Sequence, residues 1–369
     1  MNQAVGRRTR SLSGTCTLLR LFLLLSFFAA GSFLLQAQGP STLAAAGRSS
    51  GATATDRNGE TGDILPCRSS WVDFQGVRCT ISYSVPLAAL ERAERNFGFV
   101  RSEFEECSLK LETSLKGTAE LSPRSVLSRI VDASPYRESF AIQENDQGEI
   151  VLELKRTSAD PNVGREFERI REDFERQWAP HKEKIKRMLQ GRLEEFLKER
   201  YLRLSERGIG VRYGKLVRAS RADLKPLADE LRATSGSRSW KTLLGTVLSF
   251  VQEIPWTEVD VEDTGRYTAG LAVPLRVLAD NSGDCDSKAV LFAALWASLS
   301  KYRLILVTLP RHMVVGVAVP RPEGAVLEWN GVPYLLLEVC AEEKVAPGKI
   351  SAYSEKCILE GSLRCEPVW

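Results

Sequence analysis

The chain has 369 residues, 43% of them hydrophobic and 26% charged, the composition of a globular protein with enough apolar sequence for a sizeable core. At roughly 100–200 residues per domain, this length holds about two folded units plus extras. A formal net charge of only +3 makes no electrostatic case for nucleic acid or an acidic substrate, and neither a Gly-rich phosphate loop nor an internal repeat is present.

The N-terminus has the pattern of a targeting segment. Arg7, Arg8 and Arg10 form a basic start, and Leu18 to Leu35 is then apolar apart from Arg20 and two serines. Its uninterrupted part, Leu21 to Leu35, is shorter than the roughly 20 residues that span a bilayer. A basic stretch before a short apolar core reads as a signal peptide. Residues 1–37 are expected to be a signal peptide, cleaved after Ala37 or the Ala44–Ala46 run, or an uncleaved signal anchor. Either sends the rest of the chain across a membrane, to a periplasmic, cell-envelope or secreted location. Only the anchor leaves a membrane contact. Residues 38–62, rich in Gly, Ala, Ser and Thr, read as a flexible linker.

Residues 63–160 read as a small α+β unit with no catalytic constellation. Val77 to Val85 alternates as a strand, Pro86 to Phe97 has helical spacing, and Ser122-Pro123 starts a helix to Val131. Ser139–Gln143 and Glu149–Lys155 flank Asn145-Asp146-Gln147-Gly148, a hairpin signature.

Residues 161–208 read as a charged amphipathic connector. Val163, Phe167, Ile170 and Phe174 recur at three and four, as do Ile185, Leu189, Leu193, Phe196 or Leu197, and Tyr201. Glu172/Arg176, Glu183/Arg187, Glu194/Lys198 and Glu199/Arg203 are i,i+4 pairs, Pro180 is expected to split or kink the segment, and Gly208 and Gly210 end it. The stripe packs on a neighbouring element or, as an alternative, binds a protein partner through residues 163–207. His181, in this polar run, reads as a solvated surface histidine.

Residues 209–369 carry the chemistry. Tyr213 to Val217 is expected as a strand, with helices over Leu224–Leu231 and Trp240–Val251. Ala289 to Leu299 is apolar nearly all round and should be a buried central helix. Strands follow at Arg303–Leu309, His312–Val319 and Tyr334–Cys340, with Asn330-Gly331 as a tight turn.

Cys285 follows Ser282-Gly283-Asp284 and opens the buried helix. A helix start carries free N–H groups and partial positive charge, which stabilise a thiolate and can face an oxyanion. His312 lies at a strand start in the same apolar region, and imidazole can both accept and return a proton near neutral pH. Glu338, inside Tyr334–Cys340, is a charged residue that needs a partner and can orient a histidine. Glu342 and Glu343 are rivals past the apolar run. Asp284 and Asp286 read as helix-capping carboxylates before substrate contacts.

Phe250-Val251-Gln252-Glu253-Ile254-Pro255-Trp256, Pro274, Leu278, the Gly283-Asp284-Cys285-Asp286 box with its apolar helix, His312 and Tyr334 to Cys340 together resemble the transglutaminase-like superfamily. The match covers about Tyr213 to Gly348. The resemblance implies an α+β, papain-like C-terminal domain, preceded by the small α+β unit and the helical connector. It implies a catalytic triad of Cys285, His312 and Glu338, and thiol chemistry on a protein or peptide amide. Hydrolysis by a cysteine peptidase or amidase comes first, with transfer to an amine or a non-catalytic scaffold as alternatives. The family more often has Asp-Pro-Thr where this chain has Glu338-Val339-Cys340. Cys340 shares a strand face with Glu338, so a Cys285–Cys340 disulfide or redox switch is conceivable.

No cofactor or metal is implied, because two distant histidines and scattered cysteines lack zinc spacing. Of eight cysteines, Cys16 lies in the targeting segment and seven remain. In an oxidising compartment six could pair and leave Cys285 free. Clustering favours pairs within Cys67/Cys79/Cys107 and within Cys340/Cys357/Cys365. Each cluster has three members, so the connectivity stays open.

Overall fold

A computed structural model describes residues 9–11, 54–55, 61–116, 122–144, 150–155, 160–205, 208–237, 239–259, 265–341 and 343–368. The expected targeting segment and linker lie outside the described residues apart from the short strands Thr9–Ser11, Ala54–Thr55 and Thr61–Gly62. The tip of the expected Asn145–Gly148 turn, and Glu342, also lie outside them. Among the described residues no helix is long and apolar enough to cross a membrane.

The chain divides into two compact units, one holding Met1–Thr42, Ser102–Phe196 and Leu204–Gly208, the other Leu43–Arg101, Leu197–Arg203 and Ile209–Trp369. This moves the expected boundary. Residues 64–101 do not belong with the hairpin and helices that follow them. Strands β1 (Ile64–Val72) and β2 (Arg78–Pro86) form a two-stranded antiparallel ribbon. A lone ribbon is marginal in water and needs a surface to pack on. Helix α1 (Leu87–Asn96) follows the ribbon.

The C-terminal sequence provides that surface. Its elements are α2 (Tyr213–Ser235), α3 (Trp240–Glu253), α4 (Pro274–Asp280), α5 (Cys285–Leu299), β3 (Leu304–Leu309), β4 (His312–Val317), β5 (Val326–Trp329), β6 (Val332–Leu337), α6 (Ala352–Leu359) and β7 (Arg364–Pro367). Trp71 of β1 is buried, donates to Ser249 Oγ at 3.0 Å and meets Phe250 edge-on, both on α3. Arg92 pairs with Asp223 at 2.8 Å and Glu94 with Arg276 at 2.7 Å, tying α1 to α2 and α4.

The expected strand at Tyr213–Val217 is instead the first turn and a half of α2. Leu216, Val217, Ser220, Leu224, Leu227, Ala228 and Leu231 are all buried at helical spacing, so the apolar period of the longer segment overrides the short β-like run. Helix α5 is the centre of the unit, and Ser287 to Trp296 is buried on every side. It packs against α2, α3 and α4 and against β3 and β4 of the sheet. The sheet is antiparallel in the order β5-β6-β4-β3-β7. Asn330 and Gly331, at φ 51° and 71°, make the expected tight turn between β5 and β6.

In the other unit the helix Pro123–Asp132 and the hairpin Phe140–Glu144/Ile150–Leu154 pack on one long helix, Pro161–Glu199. Pro180 does not split it. Losing a helical hydrogen bond there costs about 3 kcal/mol. Phe174 and Trp178 before it and Ile185 after it are buried in one cluster, and each such side chain contributes about 1.5–3 kcal/mol. The apolar stripe of residues 163–185 is thus occupied within the unit rather than displayed. The surface pairing also differs from the expected register. Arg169 bridges Glu166 and Asp173, Arg176 takes Asp173, and Arg203 takes Glu366 at 2.8 Å. His181 is half-buried and stacks on Trp178 at 5.4 Å between ring centroids.

Candidate active site

Cys285 is the first residue of α5, and local bonding sets its position. Asp284 is the N-cap and accepts from the Ser287 N–H at 3.1 Å, as its sequence position implies. The segment before it is pinned laterally: Gly283 N–H donates to Pro255 O at 3.1 Å, and Thr257 N–H donates to Gly283 O at 3.3 Å. Gly283 is needed for closeness rather than for an unusual φ, since a Cβ there would stand 3.3 Å from both methyls of Val277. Asp286 lies in the first turn of the helix. Its carboxylate accepts from Tyr213 OH at 3.1 Å, and burial, then the neighbouring Asp284 charge, push its pKa up to about 8.

His312 opens β4, facing Leu309 of β3 across the two-residue turn Pro310-Arg311. Glu338 follows the last residue of β6, which pairs with β4, and is 1% exposed. The sheet register therefore brings His312 and Glu338 together, and His312 Nε2 hydrogen-bonds Glu338 Oε1. The other carboxylate oxygen accepts from Ser351 N–H at 3.0 Å and from Ser354 Oγ at 2.9 Å. Three donors thus hold one buried carboxylate. Burial alone would raise the Glu338 pKa, but the bonds from His312, Ser351 and Ser354 outweigh it and hold the group below its ordinary value.

The Cys285 thiol interacts with both His312 and Cys340. Burial works against the His312 cation, yet its interactions with Cys285 and Glu338 prevail and raise its pKa to about 9. Cys285 itself is raised, first by Cys340, then by burial, with His312 opposing both. Cys340 is lowered, first by Cys285, and the Lys288 ammonium supports this. The two thiols are thus shifted in opposite directions, Cys285 up and Cys340 down.

The structure thus brings together all three predicted residues, Cys285, His312 and Glu338. Glu343, a rival acid, is exposed. Several contributors escaped the sequence reading. Ser351 and Ser354 hold Glu338, and the available signal was a Ser-x-x-Ser pair opening a short helix: Ser351 is the N-cap of α6 and accepts from Ser354 N–H. Gln252 clamps the segment beyond β6, donating to the Glu338 and Val345 carbonyls at 2.6 and 2.9 Å and accepting from Val345 N–H at 3.2 Å. Lys288, 2% exposed, donates to Ile254 O at 2.6 Å, and burial lowers its pKa. No isolated sequence feature marks it.

Two exposed aromatic rings flank the centre. Trp256, 59% exposed, is bridged through its backbone to Gly283 on the Cys285 side. Tyr353, 43% exposed, lies edge-on to His312 at 6.5 Å, its hydroxyl donating to Pro310 O. Among the described residues no group of three His, Cys, Asp or Glu could hold a metal ion. All seven described cysteines are free thiols. Cys67 faces Tyr83 and Cys79 faces Trp71, four rows apart on the β1–β2 ribbon, or about 13 Å, which a disulfide cannot bridge.

No family model, curated protein or solved structure matches the chain.

Proposed function

We propose that this protein is a thiol enzyme acting on peptide or protein amides through Cys285, His312 and Glu338, on a papain-like, transglutaminase-like domain. The observation that carries the reading is the hydrogen bond of His312 to the buried Glu338, on an imidazole that interacts with Cys285 at the start of α5. The Cys285 sulfur, as thiolate, attacks the amide carbonyl carbon. The Cys285 N–H at the start of α5 has no acceptor within the helix and can receive the oxyanion, whereas that of Ser287 is taken by Asp284. The C–N bond breaks as imidazolium His312 gives its proton to the leaving amine, which leaves a thioester on Cys285. Water then attacks the thioester carbon while His312 takes its proton, the C–S bond breaks with Cys285 leaving as thiolate, and the acid is released. Glu338 touches no substrate and keeps the imidazole oriented and cationic. The basic and apolar N-terminal sequence supports a location at the cell envelope or outside the cell.

A non-catalytic binding role is the competing reading, favoured by one observation: the Cys285 thiol is raised by Cys340 and by burial. Iodoacetamide labelling of the reduced chain, mapped by mass spectrometry, separates the two. An activated centre labels at Cys285 ahead of the other cysteines, loses that preference in His312→Ala, and cleaves members of a synthetic peptide pool. A Cys285 no more reactive than Cys365, with an untouched peptide pool, would falsify the enzyme reading.

A further inference from the structure

The start of α6 does two things at the His312–Glu338 pair. It seats the carboxylate, since Ser354 Oγ donates to Glu338 Oε2 at 2.9 Å and Ser351 N–H donates to the same oxygen at 3.0 Å. Between these two serines lies Tyr353, which is 43% exposed. Its ring lies edge-on to His312, with 6.5 Å between centroids and 68° between planes. Its hydroxyl donates to Pro310 O, in the turn between β3 and β4 that delivers His312. The side chain is therefore held at its root by α6 and at its tip by the turn, while the ring stays open to water. The only other aromatic residue this exposed among the described residues is Trp256, and it is joined to Gly283 on the Cys285 side. A large ring fixed by its polar tip and left uncovered beside a reacting group is an apolar contact surface in waiting. Little side-chain entropy is left to lose when something covers it.

We propose that Tyr353 is a specificity-determining residue, whose ring receives an apolar or aromatic side chain on the residue that supplies the leaving amine. Which half of the substrate lies there follows from the proposed amide chemistry, on which this assignment rests. Cys285 keeps the acyl half as the thioester, whereas His312 protonates the departing nitrogen. That nitrogen must come within about 2.6–3.2 Å of an imidazole nitrogen. The Cα of the leaving residue follows about 1.5 Å beyond it. Its side chain thus begins inside the 6.5 Å between the imidazole and the Tyr353 ring. A Leu or Phe side chain there can lie against the phenol ring and shed water from both surfaces. An Asp or Glu side chain would exchange its water for the negative face of the ring.

Two chloroacetamides that alkylate Cys285 read this contact without turnover. N-benzyl-2-chloroacetamide carries an aromatic group on its amide nitrogen, and N-methyl-2-chloroacetamide does not. Their rates at Cys285 in the reduced full chain, followed by mass spectrometry, give a benzyl-to-methyl ratio, which is divided by the ratio for glutathione. The expected preference for the benzyl probe is about 2–10-fold. Tyr353→Phe keeps the ring and loses the donor to Pro310 O, whereas Tyr353→Gln keeps a donor and loses the ring. Tyr353→Ser repeats the ring-free case in a smaller side chain, and melting curves establish which variants are folded. The preference should persist in Tyr353→Phe and vanish in Tyr353→Gln and Tyr353→Ser. It should also persist in Leu359→Ala, which alters an exposed side chain at the far end of α6.

No preference in the wild-type chain, or one that survives without the ring, overturns the proposal. A preference lost in Tyr353→Phe also overturns it, because the hydroxyl would then matter only as a brace for the turn that carries His312. Cleavage of a synthetic peptide pool is scored in parallel. Apolar enrichment at the residue after the cut, weakened in Tyr353→Gln, supports the assignment, and cleavage without such enrichment overturns it. A ring-dependent probe preference in a chain that cleaves no peptide leaves Tyr353 as the contact for that half of the ligand and removes only the amide reading.

Discussion

The Ser354 hydroxyl donates to Glu338 Oε2 at 2.9 Å, with both side chains buried. Ser351 N–H shares the same oxygen, so the start of α6 acts as a socket for the carboxylate that faces His312. Ser354→Ala removes one of these donors without adding volume. A hydrogen bond to a charged group is worth about 1.5–3 kcal/mol, and that loss is expected in urea unfolding at neutral pH. The Glu338 pKa should rise and the His312 pKa should fall, which NMR titration of the imidazole reads directly. An unchanged His312 titration in a destabilised Ser354→Ala would show that the hydroxyl supports the fold alone.

The His312–Glu338 pair also predicts a pH dependence of stability. His312 is raised from 6.5 to about 9, so its contribution is fully present below its unfolded pKa and is lost as pH rises through the folded value. Glu338 is lowered, so its contribution is present above its unfolded pKa and is lost as pH falls through its folded one. Glu338→Gln removes the carboxylate that sustains the imidazolium. The stability difference between wild type and Glu338→Gln should be largest between about pH 5 and 7 and should shrink towards pH 10. Urea midpoints measured across that range check it, and a difference that grows with pH would contradict the assignment.

Cys340→Ala tests the opposite shifts of the two thiols. Cys340 is the largest influence holding the Cys285 thiol up, so its removal should move the alkylation midpoint of Cys285 to lower pH. The rate of iodoacetamide labelling at Cys285 between pH 5 and 10 reads the shift. A midpoint that stays or moves upward would mean that Cys340 assists the thiolate instead.

Two substitutions away from the centre probe how the unit is held together. Trp71→Ala removes a buried indole, its bond to Ser249 and its contact with Phe250, and should cost about 3–5 kcal/mol. Gly316 lies in the middle of the sheet, where a Cβ would stand 2.6 Å from Ile305 Cγ1 and 3.0 Å from Tyr334 Cβ. Gly316→Ala should destabilise by about 1–3 kcal/mol through overpacking. Denaturant unfolding checks both. Wild-type stability in Trp71→Ala would mean that the β1–β2 ribbon does not depend on α3.

The local pattern of the sequence decided a good deal. Apolar residues on all sides of Ala289–Leu299 required a buried helix, Asp284 announced its start, and Asn330-Gly331 dictated a turn, because each follows from residues adjacent in the chain. It failed where distant residues outweighed local preference. Tyr213–Val217 joined a helix because Leu224, Leu227 and Leu231 extend its buried face. Pro180 was carried within a helix because Trp178 and Ile185 are buried on either side of it. Residues 64–101 joined the C-terminal part because Trp71 found Ser249 and Phe250. The candidate site divides in the same way. Cys285, His312 and Glu338 could be named from a helix start, a strand start and a charge in an apolar run. The seat of Glu338 on Ser351 and Ser354, the Gln252 clamp and the burial of Lys288 depend on the sheet register and on α6 folding back to β6. Those contacts join residues that share no local pattern, so only the tertiary structure could decide them.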